Sequence, residues 1–342
     1  MSEKLHEITK QIIEGAELPE KVMRIAFDEI MEGRASPVEL TSFLIGLQMR
    51  GETPDDIAAG AGIMREKALK INAPDTAMDI VGTGGDNIGT YNISTATAMV
   101  VAGAGIPVAK HGNKAVSSKS GAADVLMMLG INMECPFDAL EEALAKTGVV
   151  FLMAPRHHAA MRHVGPVRAE LGVRTIFNLL GPLSNPAQVS RYLIGSFDAY
   201  WLRPFAEALD KLGARHAWIV HGADGLDELS TTGKNQIVQL RDGQIKTLTL
   251  HPSELGLKKA TIEDIKGGSP EQNAIALRGL LEGEEGPYRD IVLLNAAAAL
   301  VAGGHEQQLG DALARATLSI DSKKALHALE TLISITNKHN KK

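Results

Sequence analysis

The sequence predicts an α/β protein in which a small all-helical N-terminal domain precedes a larger domain built on a largely parallel sheet flanked by helices. Three observations carry this. Before Met78 the apolar positions keep a helical period and none alternates as a strand does. From Met78 onward, short apolar runs alternate with helical segments, the texture of repeated strand–helix units. The first of those runs breaks into glycines at Gly82-Thr83-Gly84-Gly85, directly ahead of a helix start. We divide the chain at 1–72 and 73–342, with helices near 158–185 completing the first part.

Each element has a local reason. Leu5, Ile8, Ile12 and Ile13 give a first helix its apolar face, and a second begins near Pro19 with Val22, Ile25, Ala26 and Ile30 inward. Ser36-Pro37-Val38-Glu39 has the form of a capping box with proline at the first helical position, opening a helix that ends at Gly51. Thr53-Pro54-Asp55-Asp56 repeats that start. Leu40, Phe43, Leu44 and Leu47 make an apolar face that serves a bundle core, domain packing or dimerisation. Strands are expected at 78–81, 106–109, 149–153, 192–196 and 217–221, with helices at 94–104, 121–129, 137–146, 158–171 and 200–212 between them. Residues 235–250 read as a hairpin turning at Asp242-Gly243, and helices at 270–283, 288–303, 306–318 and 321–337 complete the chain.

Composition narrows the function. The chain has 342 residues, 44% hydrophobic and 22% charged, which suits a globular protein with a real core. A net charge of −6 with no long basic run argues against nucleic acid as a partner. The single cysteine, Cys135, allows no internal disulfide. The polar start and the lack of a stretch long enough to span a bilayer point to a cytoplasmic protein without a membrane partner.

Four constellations could carry chemistry. The first is Asp79-Ile80-Val81-Gly82-Thr83-Gly84-Gly85-Asp86 with Thr90-Tyr91-Asn92-Ile93-Ser94-Thr95. A strand, a glycine turn and a helix start present backbone N–H groups to an anion. No Gly-Lys-Ser/Thr closes the turn and the G-x-G-x-x-G order is absent, so neither an NTPase phosphate loop nor a dinucleotide site fits. Asp86 would repel a bare phosphate, which calls for a cation or a ribose hydroxyl beside it. The second, Lys110-His111-Gly112-Asn113 followed by Ser117-Ser118-Lys119-Ser120-Gly121 and Asp124, is placed just past a strand ending at Ala109, a second spot for phosphate oxygens. The third holds Asp224, Asp227 and Glu228 after an apolar strand, carboxylates suited to a hard cation such as Mg²⁺. The fourth runs from Ala154 to Arg168, with His157, His158 and His163 among Arg156, Arg162 and Arg168. Arginines repel zinc, so an organic carboxylate held by an arginine fork fits better there. The segment Arg174 to Pro186 follows as a rigid apolar wall.

In combination these motifs, with Phe177-Asn178-Leu179-Leu180-Gly181-Pro182, resemble the anthranilate phosphoribosyltransferase family, and in order over nearly the whole chain. The resemblance implies transfer of the phosphoribosyl group of 5-phosphoribosyl 1-diphosphate to the amine of anthranilate, in tryptophan synthesis, by a homodimer joined through the helical domain. It implies that Gly82, Gly84, Gly85, Asp86, Thr90, Asn92, Ile93, Ser94 and Thr95 bind the phosphoribosyl diphosphate, together with Lys110, His111, Gly112, Asn113, Lys114, Ala115, Val116, Ser117 and Ser118. Two Mg²⁺ ions would be held by Ser94, Asp227 and Glu228, and anthranilate by Gly82, His111, Asn113, His158 and Arg168. Lys110, Asp227 and Glu228 would act electrostatically. An aromatic amine is already neutral at pH 7, so no acid–base residue is expected. Lys114, Ala122 and Ala159 depart from the family pattern, where arginine, serine and proline stand. Two other readings remain at this point: a pyrimidine nucleoside phosphorylase, and a silent relative that binds nucleic acid or a partner.

Overall fold

A computed structural model of the chain describes residues 2–114 and 120–338. Four helices open it: α1 (Glu3–Ile13), α2 (Glu20–Met31), α3 (Pro37–Arg50) and α4 (Pro54–Lys67). Both expected capping boxes form. Ser36 Oγ accepts from the Glu39 N–H while Glu39 Oε2 accepts from the Ser36 N–H, and Thr53 with Asp56 repeats the exchange. Asp56, fully buried, is also paired with Arg50 at the end of α3. Ile13 and Ile25, expected inward, are exposed. The inward rows are Leu5, Ile8, Ile12 on α1 and Met23, Ala26, Phe27, Ile30 on α2, so each exposed isoleucine lies about 100° off its row.

The remaining elements are β1 (Met78–Gly82), α5 (Ile93–Gly103), β2 (Val108–Gly112), α6 (Ala122–Met128), α7 (Phe137–Thr147) and β3 (Val149–Met153). Next come three short helices, α8 (Ala154–His157), α9 (Gly165–Leu171) and α10 (Phe177–Leu180), then β4 (Arg191–Gly195), α11 (Leu202–Lys211) and β5 (His216–His221). The hairpin β6 (Asn235–Arg241) and β7 (Gln244–Leu250) leads to α12 (Pro270–Leu281), α13 (Pro287–Ala302), α14 (Leu309–Asp321) and α15 (Lys324–Asn337). The seven strands lie in the order β3-β2-β1-β4-β5-β6-β7, the first five parallel and the hairpin antiparallel. The fully buried stretch Ile291–Leu300 of α13 packs on α5, which covers the same face of the sheet.

Two expected boundaries move. The second strand runs over Val108–Gly112 rather than 106–109, because its parallel pairing with β3 extends through Lys110, His111 and Gly112. Those residues therefore lie in the sheet, not beyond it. The single helix expected over 158–171 is instead a 3-10 turn at Ala159–His163 followed by α9, with the short α8 ending just ahead of it at His157. Pro166 has no backbone N–H to continue an incoming helix and suits the first turn of a new one, so α9 starts afresh at Gly165.

The segment 159–183 packs onto α2, α3 and α4 and brings Phe177 against Phe27, their ring centroids 6.1 Å apart and the rings nearly perpendicular. Arg65 of α4 crosses toward the sheet. Its Nε donates to the Leu183 carbonyl (2.6 Å) and an Nη to the Tyr192 hydroxyl (3.0 Å), both buried. The link after α4 is held by His157: the Leu69 N–H donates to the His157 carbonyl, and His157 Nδ1 meets the Leu69 carbonyl.

Candidate active site

In the strand order, β2 follows β1 to one side and β4 lies on the other, so the β1–β4 boundary is the point where the winding reverses. Open α/β sheets bind ligands beyond the carboxyl ends of strands at such a point. The glycine turn leaves β1 there. Thr83 N–H donates to the Gly195 carbonyl of β4, and Phe197 N–H, just past β4, donates to Thr83 Oγ1 (3.0 Å). Gly84 and Gly85 take φ of 69° and 81°, the left-handed region that glycine reaches without cost.

The acidic motif after β5 closes onto this turn. Gly84 N–H donates to Asp227 Oδ2 (2.6 Å), and Ser94 N–H, in the first turn of α5, donates to Glu228 Oε1 (3.1 Å). The positive end of α5 thus faces an acidic pair. Close approach is built into the neighbours. A β-carbon on Gly195 would fall on the Asp227 carbonyl, and one on Gly82 would strike the Asp227 carboxylate. Burial, then the charge of Asp86, raises Asp227 to about 7. Burial, then the charge of Asp227, raises Glu228 to about 8, while Lys110 pulls it back.

The third carboxylate of the cluster is therefore Asp86. Asp224, grouped with the pair by sequence, is exposed in a left-handed turn (φ 61°). Carboxylate oxygens that repel one another are the donor set a hard cation neutralises. Among the described residues no three His, Cys, Asp or Glu side chains form a complete metal cage. Mg²⁺ takes one or two carboxylates and keeps water and phosphate oxygens in its other positions, so the acidic pair with a substrate phosphate is the donor set it would need.

Lys110 is buried beneath this knot. Its Nζ donates to the Ile80 carbonyl, and the charges of Asp79, Glu228 and Asp227 surround it. Asp79, fully buried and pushed up to about 6 by burial, accepts from the His111 N–H (3.1 Å) and from Asn185 Nδ2 (2.7 Å). Asn185 also bonds the Ala109 carbonyl (2.7 Å), so it ties β1 to β2 beneath the site.

On the other wall, His111 and His158 are buried with ring centroids 5.1 Å apart. Burial lowers His111 to about 3 and His158 to about 4. Both are neutral near pH 7, and each keeps a buried Nε2 with no protein partner. Arg168 on α9 has its acidity raised by burial alone, lies over the Phe177 ring (5.7 Å) and reaches Asn178 Oδ1 (3.4 Å). Asn113 and Lys114 are exposed, and Asn113 Oδ1 accepts from the Lys114 N–H. Ala115, Val116, Ser117 and Ser118 lie outside the described residues.

Several sequence candidates have other work. Arg156 donates to the Met133 and Cys135 carbonyls and lies over Phe137, so it takes no part in an anion fork. Asp124 caps α6 by accepting from the Gly121 N–H. Thr90 forms a bridge with Lys266, and Asn92 Oδ1 accepts from Ser120 Oγ and from Asn273 Nδ2 (2.9 Å). Ile93 and Thr95 are buried in the first turn of α5.

Residues 74–326 match the glycosyl transferase family a/b domain, and residues 6–68 match the helical bundle domain of that family. The anthranilate phosphoribosyltransferase of Parvibaculum lavamentivorans is 53% identical over 333 residues, which is 97% of this chain and 98% of that one. This chain belongs to the anthranilate phosphoribosyltransferase family. A solved anthranilate phosphoribosyltransferase from Thermus thermophilus superposes with a TM-score of 0.91 at 45% identity, covering 96% of this chain and 99% of that one. The Saccharomyces cerevisiae anthranilate phosphoribosyltransferase, solved in complex with PRPP and Mg, superposes with a TM-score of 0.89 at 29% identity, covering 98% and 99%. Membership makes the chain a transferase of the glycosyl class.

Within this anthranilate phosphoribosyltransferase fold, residues that sequence patterns did not single out also support the turn. Asn273 and Tyr288 hold Asn92, the hydroxyl of Tyr288 donating to the Asn92 carbonyl (3.2 Å). Tyr288 also stacks on Tyr91 at 4.4 Å. Arg174 reaches Gly85 from the segment between α9 and α10. A lone asparagine or tyrosine in a helix has no local signature, and by sequence Arg174 was only the start of an apolar wall.

Proposed function

We infer that the chain transfers the phosphoribosyl group of 5-phospho-α-D-ribose 1-diphosphate to the amine of anthranilate, giving N-(5-phosphoribosyl)anthranilate and diphosphate, in tryptophan biosynthesis. The observation that carries the site assignment is the acidic pair Asp227-Glu228, fastened by main-chain amides to the glycine turn and to the start of α5.

The C1–O bond of the ribose breaks and its electron pair leaves with diphosphate. The amine nitrogen forms the new C1–N bond and then releases its proton to water. Charge grows on the leaving group, so preorganised positive ends are what the reaction needs. The turn amides of Gly85 and Asp86 and the N-terminal end of α5 would supply them, with the buried charge of Lys110 acting from beneath. Asp227, Glu228 and Ser94 would hold Mg²⁺, as two ions, and the metal would neutralise the diphosphate. Arg168 grips the anthranilate carboxylate, with Gly82, Asn113 and the neutral rings of His111 and His158 shaping the pocket. Neutral imidazoles offer hydrogen bonding without repelling the cations. Thr90, Asn92, Gly112 and Lys114 would complete the contact surface for the phosphoribosyl diphosphate, while the buried Ile93 and Thr95 would act only through their main chain.

The test is to mix purified protein, Mg²⁺, phosphoribosyl diphosphate and anthranilate and follow anthranilate fluorescence. Loss of fluorescence is expected. No loss, with phosphorolysis of thymidine or uridine instead, overturns the assignment in favour of a nucleoside phosphorylase. We extend the proposal to a homodimer through the helical domain, because Ile13, Val38 and Met49 of α1 and α3 are exposed. Light scattering should then give twice the 36.4 kDa chain mass, and a monomer mass refutes it. No described helix is long and apolar enough to cross a membrane.

A further inference from the structure

We propose that Arg174 is a positioning residue, an interdomain latch that holds the phosphate-binding glycine turn in its working shape. This rests on the function proposed above. Its Nη2 donates to the Gly85 carbonyl (2.7 Å), and its guanidinium carbon lies 3.8 Å from the centroid of the Phe197 ring. Phe197 is itself fixed to the turn through its N–H bond to Thr83 Oγ1. The planar cation therefore joins Phe197, two residues past β4, to the turn after β1, at the reversal point of the sheet.

The arginine enters from the other body of the protein. It lies between α9, which packs on α3, and α10, which packs on α4. A side chain carried by the helical bundle thus grips the turn whose Gly84 N–H orients Asp227. Glycine suits the position gripped: Gly85 has φ 81°, which glycine reaches without strain, and a β-carbon there would lie 2.6 Å from the Arg174 guanidinium and push the arm aside. An exposed arginine held on an aromatic face and a carbonyl is ordered enough to act this way. Parting of the two bodies would break the contact and release the turn.

Calorimetric titration with phosphoribosyl diphosphate in Mg²⁺, alongside steady-state kinetics, tests the latch. Arg174→Gln should weaken phosphoribosyl diphosphate binding and raise its KM about 10- to 100-fold, with the anthranilate KM changed by less than about twofold. Arg174→Lys should recover only part, because an ammonium keeps the charge and loses the flat stack. Phe197→Leu should shift the same constant by about two- to fivefold. Unfolding is not the expected cause, since Arg174 is exposed, and melting temperatures check this. Equal affinity in wild type and Arg174→Gln overturns the latch, as does full recovery in Arg174→Lys. Wild-type protein that binds the sugar diphosphate without consuming anthranilate ends the functional reading alone, and absence of wild-type binding ends both.

Discussion

Gly195→Ala is the sharpest test of how the acidic pair is placed. Gly195 closes β4, pairs in register with Gly82 and accepts from the Thr83 N–H. Its backbone is not left-handed, so alanine is conformationally acceptable there. The obstacle is space, because the new β-carbon coincides with the Asp227 carbonyl, main chain against main chain. Ordinary carbon contact needs about 3.5 Å, so the Asp227–Glu228 peptide must retreat by roughly 2 Å. A displacement of about 1 Å in a catalytic constellation can cost about 10²-fold, so kcat/KM should fall about 10²–10³-fold for both substrates. Overpacking should also cost about 1–3 kcal/mol of stability. The control is Gly310→Ala near the start of α14, where a β-carbon meets nothing within 4 Å. That change should leave kcat/KM intact and add about 0.5–1 kcal/mol. The assay is steady-state kinetics with a Mg²⁺ titration and a thermal melt on each variant. Wild-type kcat/KM in Gly195→Ala would refute the placement of the acidic pair.

Other outcomes follow from the same geometry. Arg168→Ala should raise the anthranilate KM far more than the phosphoribosyl diphosphate KM, and equal effects reject the carboxylate grip. Asp227→Asn combined with Glu228→Gln should lower kcat by about 10²–10³ or more and shift the Mg²⁺ requirement; an unchanged Mg²⁺ titration removes the metal role. Asp227 (about 7) and Glu228 (about 8) are raised carboxylates, so in the metal-free chain their contribution to stability is lost as pH rises through those values. Mg²⁺ held by these carboxylates would take the place of the lost protons. The melting-temperature gap between Mg²⁺ and chelator should therefore widen from about pH 6 to about pH 8.5, and a gap independent of pH contradicts it. Arg65→Met should lower stability by about 2–4 kcal/mol, since it strips donors from the buried Leu183 carbonyl and Tyr192 hydroxyl; a melt within error of wild type rejects that role.

Much of this protein was legible in short windows. The capping boxes at Ser36 and Thr53, the strand–glycine–helix run through Gly82 to Thr95 and the acidic motif at Asp227 each act over a few residues. Steric and hydrogen-bond rules specify such local features wherever they occur. The misjudged features depend on partners elsewhere in the chain. The strand at Lys110 is longer than its own apolar run because β3 pairs with it. Ile25 faces water because Met23, Ala26 and Phe27 meet the bundle core instead.

The sequence alone determined the fold class and the order of most of its elements, because period, caps and glycines are properties of neighbouring residues. Only the tertiary structure decided that Asp86 rather than Asp224 joins the acidic pair, that Asn273 and Tyr288 hold Asn92, and that Arg174 crosses to Gly85. Those contacts join residues 89 to 196 positions apart, or residues on separate loops. They exist because packing the helices on the sheet brings the ends of β1, β4 and β5 to one edge, and no local pattern encodes that meeting.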